Sequence, residues 1–485
     1  MMSKVLPFLR RMFDPSGFRG PVLTLLSGTS AALLLGYFAK PILTRLYSVE
    51  AFGLFDFFAS LIGVLIPISS LRYEDALMQP DEEKEAAGLL WLCFSLMLGV
   101  VLLTALLLLW REPFSQVFGE PALAYWLWFV PPTLLVMRAG KLLEVWLIRT
   151  RQFRPVSAAQ VTQSTGMVAS RIAAALPPLN WGTGGLIGSL LFGNTLATGA
   201  LLRSVWKESG AVLRTSFSPK VFPTIARRYA RFPLFSMPST LLSALVTRLP
   251  FLLLLSFFGA RALGFFGLAF NVLYIPLSLV GGAMGQVFFV QAAEAARGET
   301  LSILTEKVHA RLVMVCLFPT LLILLAGPEL FGFIFSEAWR PAGRYAQYIG
   351  LWLMFSAIGS PLTRLFDVLE RQRLDLMTSV VMFIVIAGVL WKGGQSGELA
   401  FALIWLGIGG VVVRLFQVAV LLFIGGVGLK QAARPYLKYG LISLPFLAPI
   451  ALAIRYGSPL LTLLASVAGG LCYAGLVVWR EALLD

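Results

Sequence analysis

Ten charged residues fall within long apolar stretches, where they can bind an ion or move a proton but cannot be solvated by default. Seven are basic (Lys40, Arg138, Lys141, Arg171, Arg248, Arg364 and Arg414) and three acidic (Asp56, Glu144 and Asp367). A charge at mid-membrane costs roughly 2.5–3.5 kcal/mol on insertion scales, so seven cations facing lipid would cost on the order of 20 kcal/mol. Such cations must pair with acids, snorkel to an interface, or face a water-filled cavity. Spacing pairs some of them. Lys141 and Glu144 stand at i, i+3 and neutralise each other, which leaves Arg138. Arg364 and Asp367 have the same spacing. Lys40 and Asp56 are placed for a pair between neighbouring helices. Arg171, Arg248 and Arg414 have no acid nearby in sequence. Arg248 leads as the binding candidate, because it interrupts "LLSALVTRLPFLLLLSFF", where topology needs no charge.

Converging cations in a low-dielectric site attract anions, and the planar fork of arginine matches phosphate. The expected substrate-binding set is therefore Arg248, Arg171, Lys40, Arg138, Arg364 and Arg414, with Asn271 as a neutral sugar contact. The acids Asp56, Glu144 and Asp367 are candidates for carrying a coupling proton. "RYED" at 72–75 ends a long apolar run beside "DEEKE" at 81–85. Arg72 and Glu74 are read there either as part of a solvated turn or as an inner gate paired to the other half. No catalytic residue, metal site or cofactor is expected. Cys93, Cys316 and Cys472 lie in separate runs without ligand spacing, and His309 is the sole histidine.

The elements that must hold these residues are membrane helices. The chain has 485 residues, 58% hydrophobic and 13% charged, against roughly 25% charged in soluble domains. About 20 apolar residues span a bilayer. Such runs occur near 21–44, 51–75, 88–110, 122–147, 157–179, 184–205, 233–258, 263–291, 308–327, 345–369, 374–391, 398–424, 436–455 and 459–480. The sequence thus predicts an all-α polytopic membrane protein of about 14 transmembrane helices. The longest polar gap, 206–232, is too short for a catalytic domain.

Net charge is +15. With the N-terminus, carrying Lys4, Arg10, Arg11 and Arg19, placed inside, 25 of the 39 Lys and Arg fall in inner loops and ends and seven in outer ones. The positive-inside rule then sets both termini in the cytoplasm. The basic 206–232 segment divides two six-helix lobes, 1–205 and 233–430, and 431–485 adds two helices. The lobes echo each other. "AFGLF" at 51–55 is matched by "ALGFF" at 262–266, each placed in an outer link. "LIPIS" at 65–69 is matched by "YIPLS" at 274–278. "VFGEP" at 117–121 answers "IFSEA" at 334–338, and "RTRQF" at 149–153 answers "LERQR" at 369–373. Six spans per repeat imply a pseudo-two-fold axis along the membrane normal and a site near mid-membrane. Pro67 and Pro276, in matching runs, are hinge candidates.

"LTRLYSVEAFGLF" followed by an apolar span and "LRYEDAL…DEEKEAAGLL" resembles the N-terminal region of Wzx-type polysaccharide (O-antigen) flippases. These belong to the multidrug/oligosaccharidyl-lipid/polysaccharide exporter superfamily. The detailed likeness covers about 25–95, and the doubled six-helix plan about 20–430. The resemblance implies a two-lobed transporter with a cationic central cavity in a bacterial inner membrane. It would flip an undecaprenyl-pyrophosphate-linked oligosaccharide to the outer leaflet for lipopolysaccharide or other surface polysaccharide synthesis. Its implied partners are the lipid-linked oligosaccharide, the bilayer, a polysaccharide polymerase and glycosyltransferases, with no nucleic acid. The two additional helices resemble lipid II flippases of the same superfamily. A cation-coupled multidrug exporter should instead carry unpaired carboxylates. A membrane glycosyltransferase or O-antigen polymerase would need a large extramembrane catalytic loop. A transporter that is not an enzyme is the reading the residues favour.

Overall fold

A computed structural model describes residues 19–297 and 300–481, and the segment carrying Lys4, Arg10 and Arg11 lies outside them. Among the described residues the regular elements are helices, and eleven stretches are long and apolar enough to cross a membrane. The expected fourteen are reduced for two reasons. The runs at 233–258 and 263–291 form one stretch, Met237–Ala295, broken at Gly259, whose φ of 79 leaves the helical region; the parts 237–258 and 260–295 are α7 and α8. The first and fifth runs are helices too, α1 (Arg19–Leu46) and α5 (Phe153–Ala175), outside that set; in α5, Gln, Ser and Thr dilute the apolar residues.

The chain forms two compact units, the first ending at Arg248 and the second beginning at Leu249. Besides α1 and α5, the first contains α2 (Val49–Ser69), α3 (Glu83–Leu107), α4 (Val130–Arg149) and α6 (Thr183–Thr215). Their shared core includes Phe58, Leu89, Leu134 and Trp146. Outside it, the α3 side chains Leu98, Leu102, Leu103 and Leu106 are exposed, as lipid-facing residues must be. Lipid gives no hydrophobic drive for helix association, so backbones approach through small residues and polar contacts. A Cβ on Gly193 of α6 would sit 2.7 Å from the Gln163 carbonyl oxygen of α5. Ser164 of α5 donates to the Ala32 carbonyl of α1 at 2.6 Å.

The basic segment is not a loose linker. The α6 helix runs on to Thr215, and the chain returns through a short helix, Phe222–Arg228. This return docks on the start of α3. Trp91 Nε1 donates to the Leu213 carbonyl at 2.9 Å, Tyr73 Oη to the Ala226 carbonyl at 3.1 Å, and Arg228 pairs with Glu85 at 2.8 Å. Arg231 adds a 2.9 Å bond to Gln79. Of the acids in "DEEKE", Glu85 thus holds the basic segment.

The second unit packs α9 (Leu301–Phe335), α10 (Arg340–Leu362), α11 (Gln372–Ser396), α12 (Leu399–Ile424), α13 (Leu429–Arg455) and α14 (Pro459–Glu481) with α8. The last two helices are integral to it. Tyr473 stacks on Phe318 of α9, centroids 4.6 Å apart, and donates to the Met314 carbonyl at 2.8 Å. His309 is buried against α13, its Nε2 3.2 Å from the Ala432 oxygen. Cys93 and Cys316 are buried free thiols, and Cys472 is exposed.

The repeat shows in matching turns. Arg151 and Glu370 both adopt positive φ (60 and 55). The next residue in each case reaches back five positions, Gln152 to Leu147 and Arg371 to Phe366, both at 2.7 Å. This is the 6→1 bond of a Schellman helix end, built on "RTRQF" and "LERQR". The motifs at 51–55 and 262–266 match too, but not as links. Each lies inside the helix that follows the break, at Tyr47–Ser48 and at Gly259. Ser48 caps the first of these by accepting from the Ala51 amide at 3.2 Å, which moves the link upstream.

The close backbone approach between α9 and α10 predicts a packing defect on demand. A Cβ on Gly343 would collide with the Gly327 carbonyl oxygen. Backbone cannot yield as a side-chain tip can, so Gly343→Ala should cost about 1–3 kcal/mol by overpacking. The check is a lower unfolding temperature of the purified protein in detergent, with Gly475→Ala, where an added Cβ meets open space, as the unaffected control.

Candidate functional site

The first unit holds two separate polar centres. In one, α2 ends at Ser69 and the chain turns through Leu71 and Arg72, both at positive φ (51 and 63). Left-handed geometry costs a non-glycine residue roughly 1–2 kcal/mol, so the turn must be held from outside. Two arginines of α4 hold it. Arg138 Nη2 donates to Glu74 Oε1 at 2.6 Å and to Ser70 Oγ at 2.7 Å. Ser70 in turn donates to Glu74 Oε2. Arg149, further along the same helix, donates to the carbonyls of Leu77 (2.7 Å) and Pro80 (2.6 Å). Arg72 closes on Asp75 at 2.7 Å and on Glu74 at 3.6 Å.

Both Arg138 and Glu74 are 3% exposed. Arg138, left over by sequence spacing, is therefore paired, with an acid 64 positions away. Within "RYED", Tyr73 and Glu74 are buried, whereas Asp75 reaches the surface. Arg72 pairs with Glu74 and Asp75, and Glu74 with Arg138, all within the first unit. Burial pushes the Glu74 carboxyl up, but the Arg138 charge and the hydrogen bond from Ser70 outweigh it and hold the group below its ordinary 4.5.

The second centre lies where α1, α2, α5 and Arg248 of α7 converge. Asp56, 9% exposed, lies in the field of Lys40, Arg171 and Arg248. Arg248 lies over Gly63 of α2, where an added Cβ would stand 2.9 Å from its Nε. Glycine is what lets the guanidinium approach the helix backbone there. Arg171 stacks on Phe55 at 4.8 Å and donates Nε to Ser189 Oγ at 3.0 Å. Its own carbonyl accepts from Tyr47 Oη at 2.6 Å. Lys40 stands 6.0 Å from the Tyr37 ring centroid. The expected Lys40–Asp56 association is thus part of a four-residue cluster. Arg171 and Arg248, without an acid in sequence, share this one in space.

The remaining expected residues are dispersed. Lys141 and Glu144 pair at 2.9 Å, as their spacing predicts. Arg364 and Asp367 pair at 3.4 Å, but both side chains are about half exposed and stand on a short helix, Arg364–Val368, beyond the end of α10. Arg414 is held on α12 by Gln417 (2.6 Å), which donates to Thr378 of α11 at 3.1 Å, with Asp375 nearby in the field. Asn271 is half-buried on α8. Pro67 sits in the last turn of α2, whereas Pro276 lies well inside α8. Sequence reasoning passed over Gln160, Gln163, Asn194, Thr198, Asp375 and Gln417. Their signal was available, since Gln160/Gln163 at i, i+3 and Asn194/Thr198 at i, i+4 put amides and hydroxyls on single faces of apolar runs. Among the described residues no His/Cys/Asp/Glu group could hold a metal ion.

A family model described as polysaccharide biosynthesis protein matches residues 42–344. No curated protein matches the sequence. Among solved structures, the lipid II flippase MurJ in an inward closed conformation shares the fold at a TM-score of 0.75, with 14% identity over 95% of this chain and 100% of that one. A multidrug resistance MATE family transporter of the MOP superfamily, outward-facing, gives 0.55 with 15% identity over 85% and 96%. A MOP superfamily transporter from Pyrococcus furiosus gives 0.52, also at 15% identity over 85% and 96%. These likenesses extend to the fold and agree with the resemblance carried by "LTRLYSVEAFGLF".

Removing one member of a buried ion pair strands the other and costs about 3–5 kcal/mol, while an apolar replacement of both costs far less. Arg138→Met and Glu74→Gln should each lower the unfolding temperature markedly, and the Arg138→Met/Glu74→Met double variant should recover much of the loss. The pH dependence has a definite sign. Because the folded carboxyl titrates below its unfolded value, its contribution is complete above about pH 4.5 and is lost as pH falls through the folded value. The unfolding temperature should therefore fall more steeply below about pH 4.5 for the wild type than for the double variant, and run parallel for the two above it.

Proposed function

This chain belongs to the polysaccharide biosynthesis protein family, and we propose that it flips an undecaprenyl-pyrophosphate-linked oligosaccharide across the cytoplasmic membrane of a bacterium. The observation that carries this reading is the cluster of Lys40, Arg171 and Arg248 around the single carboxylate of Asp56. Three cations against one acid leave a net positive centre among helices, at a depth where charge is costly. A pyrophosphate supplies the missing negative charge, and Arg171 and Arg248 supply planar donor forks for its oxygens. In this mechanism the isoprenoid tail stays in lipid and the pyrophosphate docks on the cluster. The protein exposes it to each leaflet in turn, with no bond made or broken. Asp56 is the acid placed to regulate the site, since protonating it raises the positive charge that holds the substrate.

A cationic drug would be repelled by the same cluster, which separates this reading from a multidrug exporter. A polymerase or glycosyltransferase reading has no large extramembrane loop among the described residues to support it. The whole-cell test is deletion of the gene followed by analysis of lipid-linked intermediates. A complete repeat unit retained on the inner leaflet is the expected outcome, and truncated or unpolymerised outer-leaflet units would sink the proposal.

Arg248→Ala should leave expression and insertion intact, since Lys40 and Arg171 still balance Asp56. Export should fall roughly 10–100-fold, the scale of a charge-assisted hydrogen bond worth about 1.5–3 kcal/mol. Arg248→Lys should restore only part of it, keeping the charge but losing the fork. Wild-type export by a well-expressed Arg248→Ala protein would exclude the anion site.

A further inference from the structure

A cavity of about 320 Å³ lies within the first unit, between α2, α4, α5 and α6. It is at the small end of the roughly 300–1,000 Å³ that ligand sites occupy. Its charged walls are already balanced. Arg138 is taken by Glu74, Lys141 by Glu144, and Arg72 by Asp75 and Glu74. What they leave for a ligand is therefore neutral.

The neutral groups form a mixed set. Gln160 accepts through Oε1 from Thr29 at 2.6 Å, which leaves its amide NH₂ to donate. Gln163 donates through Nε2 to Asn194 Oδ1 at 2.8 Å, which leaves its own Oε1 to accept. Asn194 spends its NH₂ on the Leu190 carbonyl at 2.7 Å. Thr198 donates its hydroxyl to the Val136 carbonyl at 3.0 Å and keeps its lone pairs. An anion offers only acceptors and would leave the oxygens of Gln163 and Thr198 unmet. A cation offers only donors. A sugar hydroxyl does both at once, and Ile66, Met137 and Val156 on the same wall suit the C–H face of a ring. Helix cross-linking accounts for the bonds from Thr29 to Gln160, from Gln163 to Asn194 and from Thr198 to the Val136 carbonyl, but not for the space left beside them.

We infer that this cavity is a saccharide subsite, taking one uncharged sugar ring of the transported glycan by hydrogen bonds to Gln160, Gln163 and Thr198. The inference rests on the flippase reading above, in that the sugar is assigned to the cargo. It adds that the glycan is recognised inside the first half of the protein, apart from the cluster that takes the pyrophosphate.

The test uses the full chain in lipid nanodiscs with two kinds of probe. A panel of methyl hexosides and methyl N-acetylhexosaminides reports the cavity, and undecaprenyl pyrophosphate without a glycan reports the Asp56 cluster. At least one glycoside should bind the wild type, and Gln163→Leu should weaken it by roughly three- to tenfold, the share of one neutral hydrogen bond. Undecaprenyl pyrophosphate should bind Gln163→Leu as it binds the wild type, which also certifies its folding. If Gln163→Leu does not fold, Thr198→Val, which keeps the shape and removes the oxygen, takes its place with the same expectation. Arg248→Ala should do the reverse, losing undecaprenyl pyrophosphate and keeping the glycoside. Failure of every glycoside to bind the wild type, or binding unchanged in a folded Gln163→Leu or Thr198→Val protein, overturns the subsite. Failure of undecaprenyl pyrophosphate to bind the wild type overturns the flippase reading and leaves the glycoside arm legible on its own.

Discussion

A charge withdrawn from water must be met by an opposite charge or by dipoles, wherever in the fold it is buried. The bond from Arg138 to Glu74 is the clearest product of that constraint. It joins α4 to the end of α2, and the strained turn at Leu71 and Arg72 persists because this bond and the Arg149 contacts fix it. From that turn the next links follow in sequence. The segment after it sets Tyr73, Gln79 and Glu85 against the returning basic chain, and the return delivers α7 with Arg248 toward α2. A buried ion pair is weak evidence for stability by itself. Here its consequence is positional, because it decides where the next three segments go.

The two polar centres of the first unit differ in what they leave over. Around Glu74 the charges are matched, and the surplus is a set of amides and hydroxyls. Around Asp56 three cations share one acid, and the surplus is positive charge. The proposed substrate, with a charged linkage and a neutral polyhydroxylated part, would use both surpluses, and they are separate in the fold. Gly63 gives Arg248 room against α2, and the aromatic ring of Phe55 supports Arg171 without consuming its charge.

The second unit repeats the first in its turns more than in its charges. The helix ends at Arg151 and Glu370 are built alike, down to the same five-residue reach. Yet Arg414 is satisfied largely by Gln417, and Arg364 with Asp367 forms an exposed pair of the kind that contributes little. The two turns share their backbone geometry, while the charged side chains of the two units are partnered differently.

Composition and run length by themselves determined that this is an all-helical membrane protein, because lipid admits few alternatives for so apolar a chain. Local spacing determined the pairs at i, i+3, Lys141 with Glu144 and Arg364 with Asp367, since a helix fixes those neighbours whatever surrounds it. The repeat was legible because its turns rest on short motifs. Beyond that range the sequence was silent. Arg138 and Glu74 are 64 positions apart, and the three cations around Asp56 come from three helices. No local rule relates such residues, so only the tertiary packing decided that Arg138 is a structural clamp while Arg171 and Arg248 converge. The polar wall of Gln160, Gln163, Asn194 and Thr198 was visible as spacing, but a cavity is a property of the gap between helices. It exists only once the helices are placed.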